Sequence, residues 1–306
     1  MWMIDHRLTV LRTFAACGSV TAAAEALDYS PSAVSAQLRG LQADLGLRLV
    51  EKDGRGLRLT PTGRRLVEES DGLFTHWEGV RAALAADGGA EAEQLRLGGM
   101  STATAALLAP VAVRLRAEAP GLGISIVEAD PQRCFDLLLA DRLDLAIVVS
   151  MQASAGAGDP RYERIALLDD PLDIMLPADH RLAGRESISL EEVGEEPWIA
   201  ARPGTPYRAL FIAAFTAAGT TPRVAHEVAE WDTEATLIEK GLGIGLVPRL
   251  ARISSDYRVV RVPVAGPAAP HRRVVAAIRR GARERPLIAR TVEALREQAR
   301  DHLGHR

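Results

Sequence analysis

The sequence predicts an α/β protein in three successive parts: a small helical unit with a β-hairpin, one long helix, and a mixed region of two α/β lobes. Three observations lead to this prediction. Two short helices joined by a tight turn lie ahead of Gly46, an apolar series with helical spacing runs from Leu66 to Leu84, and short apolar strands alternate with helical stretches from Leu95 onward. We place the boundaries at residues 1–62, 63–89 and 90–306, with one lobe at about 90–165 and 269–306 and the other at about 166–268.

The stretch from Gly18 to Leu45 has the pattern of a helix-turn-helix. An alanine-rich helix is predicted over Thr21–Leu27, because small side chains let two helices pack closely. Ser30 and Pro31 then mark a second helix start, since a serine caps free N–H groups and proline suits the first turn. One stripe of that second helix is apolar and should be buried: Val34, Leu38, Leu41 and Leu45.

The opposite face of the second helix suits DNA. It carries small or hydrogen-bonding side chains and one long cation, so it could approach a groove and reach phosphates or base edges. An ordinary helical hairpin inside a larger helical domain is the alternative, because this pattern alone is not specific. The residues that we expect to contact DNA here are Thr21, Ser30, Ser32, Ala33, Ser35, Ala36 and Arg39.

A short β-hairpin is predicted after the second helix. Leu47 and Leu49 alternate with polar residues before a glycine turn at 53–56, and Leu57 and Leu59 do so after it. Its cations could lie along a DNA backbone or reach into a minor groove, whereas a plain solvated hairpin is the alternative. The predicted DNA contacts of this part are Lys52, Arg55, Arg58 and, at the start of the next helix, Thr62.

The long helix begins at Thr60-Pro61 and has the spacing of a dimerisation helix. Its apolar positions repeat at alternating steps of four and three, which is the seam of a two-helix coiled coil interrupted by Ser70. A single amphipathic helix lying on its own domain is the alternative. As a dimer helix it would let two heads read two half-sites. The expected dimer contacts are Leu66, Leu73, Trp77, Val80 and Leu84.

Composition and charge favour a globular protein with a basic end. The chain is 47% hydrophobic and 25% charged with net charge −3, yet residues 1–65 carry net +3, as expected when one end meets nucleic acid. Cys17 and Cys134 are interpreted as core or near-surface thiols, with a redox sensor as the alternative. Because no apolar run of about 18 residues and no signal segment occur, we expect a cytoplasmic location.

The α/β region predicts two lobes with a cleft between them, the usual place for a small ligand. A helix is expected after Ser189, which with Glu192 has the spacing of a capping box, and further helices over 207–218 and 233–240. The segment GLGIG at Gly241–Gly245 follows a helix and leads into a strand, so it predicts a helix end rather than a dinucleotide site.

The order and spacing of these pieces resemble the LysR-type transcriptional regulators over nearly the whole chain. The resemblance is carried by AAEALDYSPSAVSAQLRGLQADLGLRLVEK, LRLTPTG, LDLAI, LPADHRLA and KGLGIGLVPR. It implies a winged helix-turn-helix, a dimerising linker helix and an effector domain shaped like a periplasmic binding protein. The implied partners are double-stranded operator DNA, a small-molecule effector and further copies of the chain, as a homodimer or homotetramer. No membrane partner is implied, and RNA polymerase is left open.

The chain departs from the family pattern at the recognition helix. Pro31-Ser32 stands where Gln-Pro is often found, and Ala36 stands where Arg or Lys is common. Direct base readout is therefore expected from Ser32, Ser35 and Arg39, with the hairpin adding more.

The resemblance also implies an effector site. Its first wall would be Ser101-Thr102, where free N–H groups, the positive helix end and two hydroxyls form an anion cradle. On the second wall Arg202 could pair with a carboxylate and Trp231 could stack on a ring, although residues at helix starts often serve only as caps. The expected effector contacts are Ser101, Thr102, Ser150, Met151, Arg202, Trp231, Asp232 and Thr233.

The sequence therefore predicts a sequence-specific DNA-binding regulator whose DNA binding or activation responds to a small anionic or aromatic effector. Two alternatives stay open: a constitutive DNA-binding regulator with a vestigial cleft, and a small-molecule-binding protein that uses its N-terminal helices only to dimerise. We expect no enzyme, metal site or cofactor, because no metal-ligand spacing and no nucleophile–base arrangement occurs.

Overall fold

The computed structural model describes residues 4–54, 56–86, 94–150, 158–267 and 269–304. The chain divides into two compact units: unit 1 contains Met1–Val148, Ala155–Leu167 and Val275–Arg306, and unit 2 contains Val149–Ser154 and Leu168–Val274. None of the helices in the described ranges has the length and apolar character needed to span a membrane.

Unit 1 begins with three helices and a hairpin, residues 4–59, which we call the head. Asp5 and Ser19 cap the first two helices by accepting hydrogen bonds from backbone N–H groups. The apolar faces of the helices and hairpin share one hydrophobic core. The elements are α1 (His6–Cys17), α2 (Val20–Leu27), α3 (Pro31–Leu45), and the antiparallel strands β1 (Val50–Asp53) and β2 (Gly56–Leu59).

The hairpin begins later than the sequence predicts. The N–H of Leu47 donates to the carbonyl of Gln42 at 3.1 Å, which closes the end of α3 instead of starting a strand. The side-chain oxygen of Gln42 then accepts the N–H groups of Leu49 (2.9 Å) and Val50 (3.0 Å). Leu47 is consequently exposed, and only Leu49 of this pair is buried.

The long helix α4 (Pro61–Ala86) starts against the hairpin. The Thr60 hydroxyl accepts the N–H of Gly63 at 3.0 Å and donates to the carbonyl of Arg48 at 2.7 Å. This confirms Thr60 as the predicted cap.

The remainder of unit 1 is a parallel α/β layer. Strand β3 (Gln94–Gly99) pairs in parallel with β4 (Gly123–Glu128) and β5 (Leu145–Ser150). Between β3 and β4 lie α5 (Ser101–Ala103), a π-helical turn (Thr104–Leu108) and α6 (Ala109–Glu118), and between β4 and β5 lies α7 (Pro131–Leu139).

The π-helical turn has an identifiable cause. Pro110 has no N–H to donate to the carbonyl of Ala106, so the α-helical hydrogen bond cannot form there. The side chain of Gln298 donates to that carbonyl instead, at 3.4 Å.

The chain then continues through both units. In order, its elements are β6 (Tyr162–Pro177), β7 (Pro197–Ala201), α8 (Pro206–Ala217), β8 (Arg223–Val228), α9 (Trp231–Glu239), β9 (Ile244–Pro248), β10 (Val259–Pro263), β11 (His271–Arg279) and α10 (Pro286–Gly304).

Unit 2 is built on a sheet in the order β6-β9-β7-β8, with β10 added antiparallel to β6. Its core contains Trp198, Phe211 and Phe215, and the indole N–H of Trp198 donates to the carbonyl of Val193 at 3.0 Å.

Of two helix boundaries predicted in unit 2, the start after Ser189 is wrong and the end at Gly241 is confirmed. The predicted helix after Ser189 is wrong: only a 3₁₀ turn (Glu191–Val193) forms, although Ser189 and Glu192 make both capping-box hydrogen bonds, at 2.9 and 3.4 Å. Gly241 follows α9 with a positive φ of 73°, which confirms the predicted helix end in GLGIG.

Candidate nucleic-acid interface and effector site

Helix α3 begins where the sequence predicts it. The hydroxyl of Ser30 accepts the N–H of Ala33 at 3.1 Å, and Pro31 occupies the first turn. The hydroxyls of Ser30 and Ser32 lie 2.9 Å apart, so the exposed first turn carries two oriented hydroxyl groups.

The two faces of α3 separate as predicted, with one exception. Val34, Leu38 and Leu41 are buried in the head core. Leu45 is 46% exposed, so its predicted burial is wrong. It occupies the last turn of the helix, directly before the left-handed Gly46, and the head core does not extend that far.

The outer face of α3 is open. Ser32, Ala36, Arg39 and Ala43 are exposed, while Ala33 and Ser35 are half-buried. Thr21 is exposed near the start of α2. The predicted DNA face is therefore accessible and not covered by unit 1.

The hairpin carries its cations next to this face. Lys52 is exposed on β1, and Arg58 on β2 is exposed but lies 2.7 Å from the carboxylate of Glu51. Arg55 falls outside the described residues. Thr62 is exposed in the first turn of α4.

An open groove of about 980 Å³ runs between α2, α3 and the hairpin. Thr21, Ser35, Arg39 and Lys52, all predicted from the sequence, line it together. The ion pairs of the described residues include neither Arg39 nor Lys52, so both cations are available to phosphates.

Sequence reasoning missed Arg48 and Gln42 in this groove. Arg48 is exposed, lines the groove and has no acidic partner among the described residues. The sequence signal that could have identified Arg48 is a cation two residues before the first hairpin strand. Gln42 fixes the start of that strand through two hydrogen bonds, a role without any local sequence signal.

The predicted dimer residues of α4 lie in different surroundings. Leu66 packs against the head core, and half-buried Trp77 lines two cavities within unit 1. Val80 is half-buried, whereas Leu73 and Leu84 are 55% and 58% exposed. Part of the helix thus lies on its own chain, and dimerisation through α4 stays a prediction.

Ion pairs hold the inner face of α4 to other elements of unit 1. Glu78 is buried and lies 2.7 Å from Arg279 of β11. Arg279 also lies 3.1 Å from Asp141 and 3.5 Å from Asp144. Arg96 of β3 pairs with both aspartates, at 3.0 and 2.9 Å, and these cations hold the pKa of Asp144 well below its usual range.

Two of the predicted effector residues belong to unit 1. Ser101 is half-buried and Thr102 is buried in the first turn after β3, where no side chain caps the helix start. The hydroxyl of Thr104 donates to the carbonyl of Gly99 at 3.1 Å. The π-helical turn follows immediately, so the helix that would hold an anion is irregular next to its start.

The other described effector residues belong to unit 2. Arg202 follows β7 and is exposed, and Trp231 is half-buried in the first turn of α9, beside exposed Asp232 and Thr233. The Trp231 ring contacts Tyr207 of α8 edge-to-face at 5.1 Å. Ser150 is half-buried at the end of β5, and Met151 lies outside the described residues.

Glu234 is a further residue that sequence reasoning missed. It is 4% exposed on α9, and burial raises its pKa well above the usual value. Its carboxylate lies over Gly245, where an added Cβ would be 2.2 Å from Oε1. Nothing local distinguishes this glutamate from an exposed one, because β9 covers it from a distance in sequence.

Both thiols are poor candidates for a redox sensor. Burial raises the pKa of Cys17 to about 11 and that of Cys134 to about 12, so little thiolate exists near neutral pH. Asp136 lies near Cys17, and the Cys134 thiol lies 3.7 Å from the carbonyl of Ala129. Cys134 is buried and Cys17 is half-buried, which supports the interpretation of both as core or near-surface thiols.

Two family models match the chain. "Bacterial regulatory helix-turn-helix protein, lysR family" covers residues 6–64, and "LysR substrate binding domain" covers residues 88–300. The HTH-type transcriptional regulator TtuA of Agrobacterium vitis is 31% identical over 283 residues, which span 92% of this chain and 88% of TtuA.

Solved structures share the fold. HinK, a LysR family transcriptional regulator from Pseudomonas aeruginosa, is 26% identical with a TM-score of 0.60, covering 96% of this chain and 97% of HinK. A full-length OxyR variant from the same organism is 23% identical with a TM-score of 0.64, covering 98% of this chain and 95% of that one; its likeness concerns the fold alone. With both family models matched in order, this chain belongs to the LysR family and is a DNA-binding transcriptional regulator modulated by a small-molecule effector.

Proposed function

We propose that α3 enters the major groove of operator DNA and that Ser32, Ser35 and Arg39 supply the base contacts. The observation that carries this proposal is the open outer face of α3, which borders a groove lined by Arg39, Arg48 and Lys52, cations that have no ion pair with any described residue. Small side chains at Ala36 and Ala43 allow close approach of the backbone, and Arg39 is long enough to reach a guanine edge.

Contacts to the DNA backbone would come from the other cations that line the groove. Arg48 and Lys52 stand beside the outer face of α3, where phosphates of the same duplex would pass. Such contacts position the protein without reading sequence. Two heads, joined through exposed positions of α4 such as Leu73 and Leu84, would read two half-sites in the cytoplasm, where operator DNA lies.

The effector that we propose is a small carboxylate, aromatic or aliphatic. In unit 1, half-buried Ser101 offers a hydroxyl group at a helix start; in unit 2, Arg202 offers an exposed cation and Trp231 offers a ring. We propose no catalytic role for these residues, since a regulator needs only to bind its effector.

The base-reading role of Arg39 can be tested without knowing the operator. Duplexes are selected from a random pool by the wild-type protein, and the affinity of Arg39→Ala for the selected duplex is measured. A base contact predicts a loss of about 1–3 kcal/mol together with relaxed sequence preference at one position. Arg116→Ala, an exposed arginine of α6, is the matched control. Unchanged affinity and an unchanged selected sequence for R39A would refute this role.

The effector class is tested on the same duplex. Phenylacetate and glutarate serve as probes, with cyclohexylamine as a cation of similar size. A carboxylate site predicts that one of the acids changes duplex affinity or DNA bending and that Arg202→Ala abolishes the change. A response to the amine alone would contradict the proposal.

A further inference from the structure

The head is in contact with helix α7 of the same unit. Nη2 of Arg133 donates to the carbonyl of Glu25 at 2.8 Å. Nη1 of Arg142, just beyond α7, donates to the carbonyl of Leu27 at 3.2 Å and lies 3.3 Å from the carboxylate of Asp28. These acceptors lie at the end of α2, where the last carbonyls and the negative helix end favour cations. Two arginines therefore hold one end of a head helix.

Apolar and polar contacts surround these arginines. Ala140, next to α7, is buried in the head core. Ala16 of α1 packs in turn against the cluster around Phe135 of α7. Helices α1 and α7 also pack against each other, with Asp136 of α7 near Cys17 of α1. We call Arg133, Ala140 and Arg142 the α7 clamp.

The end of α2 that the α7 clamp holds lies close to the recognition helix α3 in sequence. Helix α2 ends at Leu27 and α3 begins at Pro31, so a short turn separates the clamped end from the first DNA-facing residues. The outer face of α3 stays exposed while α2 is held. The contact therefore restrains the orientation of α3 without covering it.

The other end of the α7 clamp is fixed as well. Asp141 and Asp144 follow α7 and belong to the ion-pair network with Arg96 and Arg279. Any displacement of this part of unit 1 would consequently reach α7, then the end of α2, and then the start of α3.

The arginines of the α7 clamp orient the head more than they stabilise the fold. The Arg142–Asp28 pair is largely exposed and contributes little to stability, so the arginines act mainly by directing their N–H groups at the carbonyls of Glu25 and Leu27. Removing them should leave the fold intact but let the head turn on the rest of the chain.

We propose that the α7 clamp sets the angle at which each head is presented, and thereby determines which spacing of half-sites the regulator accepts. The inference rests on the proposed function, because spacing matters only for a dimer that reads two half-sites. A rigidly held pair of heads can engage both half-sites at one spacing only, whereas loosely held heads tolerate several.

The test compares spacing preference between variants. From the duplex selected by the wild-type protein, versions with two base pairs added or removed between the half-sites are made. For the wild-type chain we expect an affinity loss of about 100-fold on the altered duplexes, since binding at both half-sites is lost. For Arg133→Ala/Arg142→Ala we expect a loss below about 10-fold, because the freed heads can adjust.

Arg116→Ala/Arg252→Ala is the matched control, since both residues are exposed arginines with no hydrogen bond or ion pair to the head among the described residues. It should discriminate like the wild type, and circular dichroism melting checks that each variant is folded. Equal discrimination by R133A/R142A and the wild type would overturn the inference. Failure of the wild type to select any duplex would overturn the proposed function and this inference with it.

A disulfide gives a second test that does not weaken the contact. Position 136 of α7 lies near Cys17 of α1, so in Asp136→Cys oxidised glutathione should join the two thiols and lock the head to α7. Unchanged duplex affinity and spacing preference of the locked protein support the inference. Loss of binding on oxidation, restored by dithiothreitol, would show that the head must leave α7 to bind DNA, and would contradict it.

Discussion

Replacing Gly63 by alanine should displace the first hairpin strand and destabilise the head. Gly63 lies in the first turn of α4 directly against the carbonyl of Leu49, and an added Cβ would be 2.0 Å from that oxygen and 2.9 Å from its carbon. No flexible side chain can move aside, since both atoms are backbone. The strand or the helix start must shift instead.

The expected cost follows from three contributions. Overpacking of a close contact costs about 1–3 kcal/mol. The same Leu49 carbonyl accepts the N–H of Thr60 at 3.0 Å. Weakening that hydrogen bond adds about 1 kcal/mol. Alanine recovers about 1 kcal/mol through its better helix propensity. The net destabilisation should therefore be about 1–3 kcal/mol.

Gly72 in the same helix is the matched control, because no atom lies within 4 Å of its Cβ position. Gly72→Ala should leave stability unchanged or raise it by up to about 1 kcal/mol. Urea denaturation of both full-length variants, followed by circular dichroism, measures the difference, and affinity for the selected duplex should fall for G63A only. If G63A proves as stable as G72A, the close approach between α4 and β1 is not present in solution.

Three further results are expected. Arg48→Ala should weaken binding to selected and unrelated duplexes alike. If Arg48 neutralises one phosphate, the magnitude of the slope of log affinity against log salt should also fall by about 0.9. A change confined to the selected duplex would contradict that role. With thiol pKa values raised to about 11 and about 12, Cys17 and Cys134 should react slowly with a thiol reagent in native protein at pH 8 and promptly in urea, and prompt native reaction would refute their burial. The raised pKa of Glu234 means that its neutral form is favoured in the fold, so the group costs no stability through ionisation below pH 4.5, its ordinary value, and destabilises the fold progressively as pH rises from there towards the folded value. The Tm of Glu234→Gln minus that of the wild type should therefore increase between pH 5 and pH 8, and a constant difference would count against this assignment.

Several features of the DNA-binding part follow from short-range physics, and for that reason the sequence predicted them. Ser30 with Pro31, and Thr60 with Pro61, start helices because capping depends on neighbours within three residues. The buried stripe of α3 follows from helical period alone, apart from Leu45, whose exposure depends on how far the head core reaches.

Contacts between distant residues could not be predicted in this way. From the sequence, Glu78 is expected at a polar position of an amphipathic helix, yet in the structure it is buried beside Arg279. Leu66 reads as part of a dimer seam, yet it packs in the head core of its own chain. In both cases the partner, not the residue, decides the environment.

The sequence by itself determined the order of the parts, the starts of α3 and α4, the presence of the hairpin and the polar outer face of α3, since each depends on local spacing and composition. Only the tertiary structure decided that Arg48 joins Arg39 and Lys52 in one groove, and that Arg133 holds the end of α2. The physical reason is that a side chain's burial and partners depend on which surface folds over it. That surface comes from residues far away in the chain, beyond the reach of local periodicity.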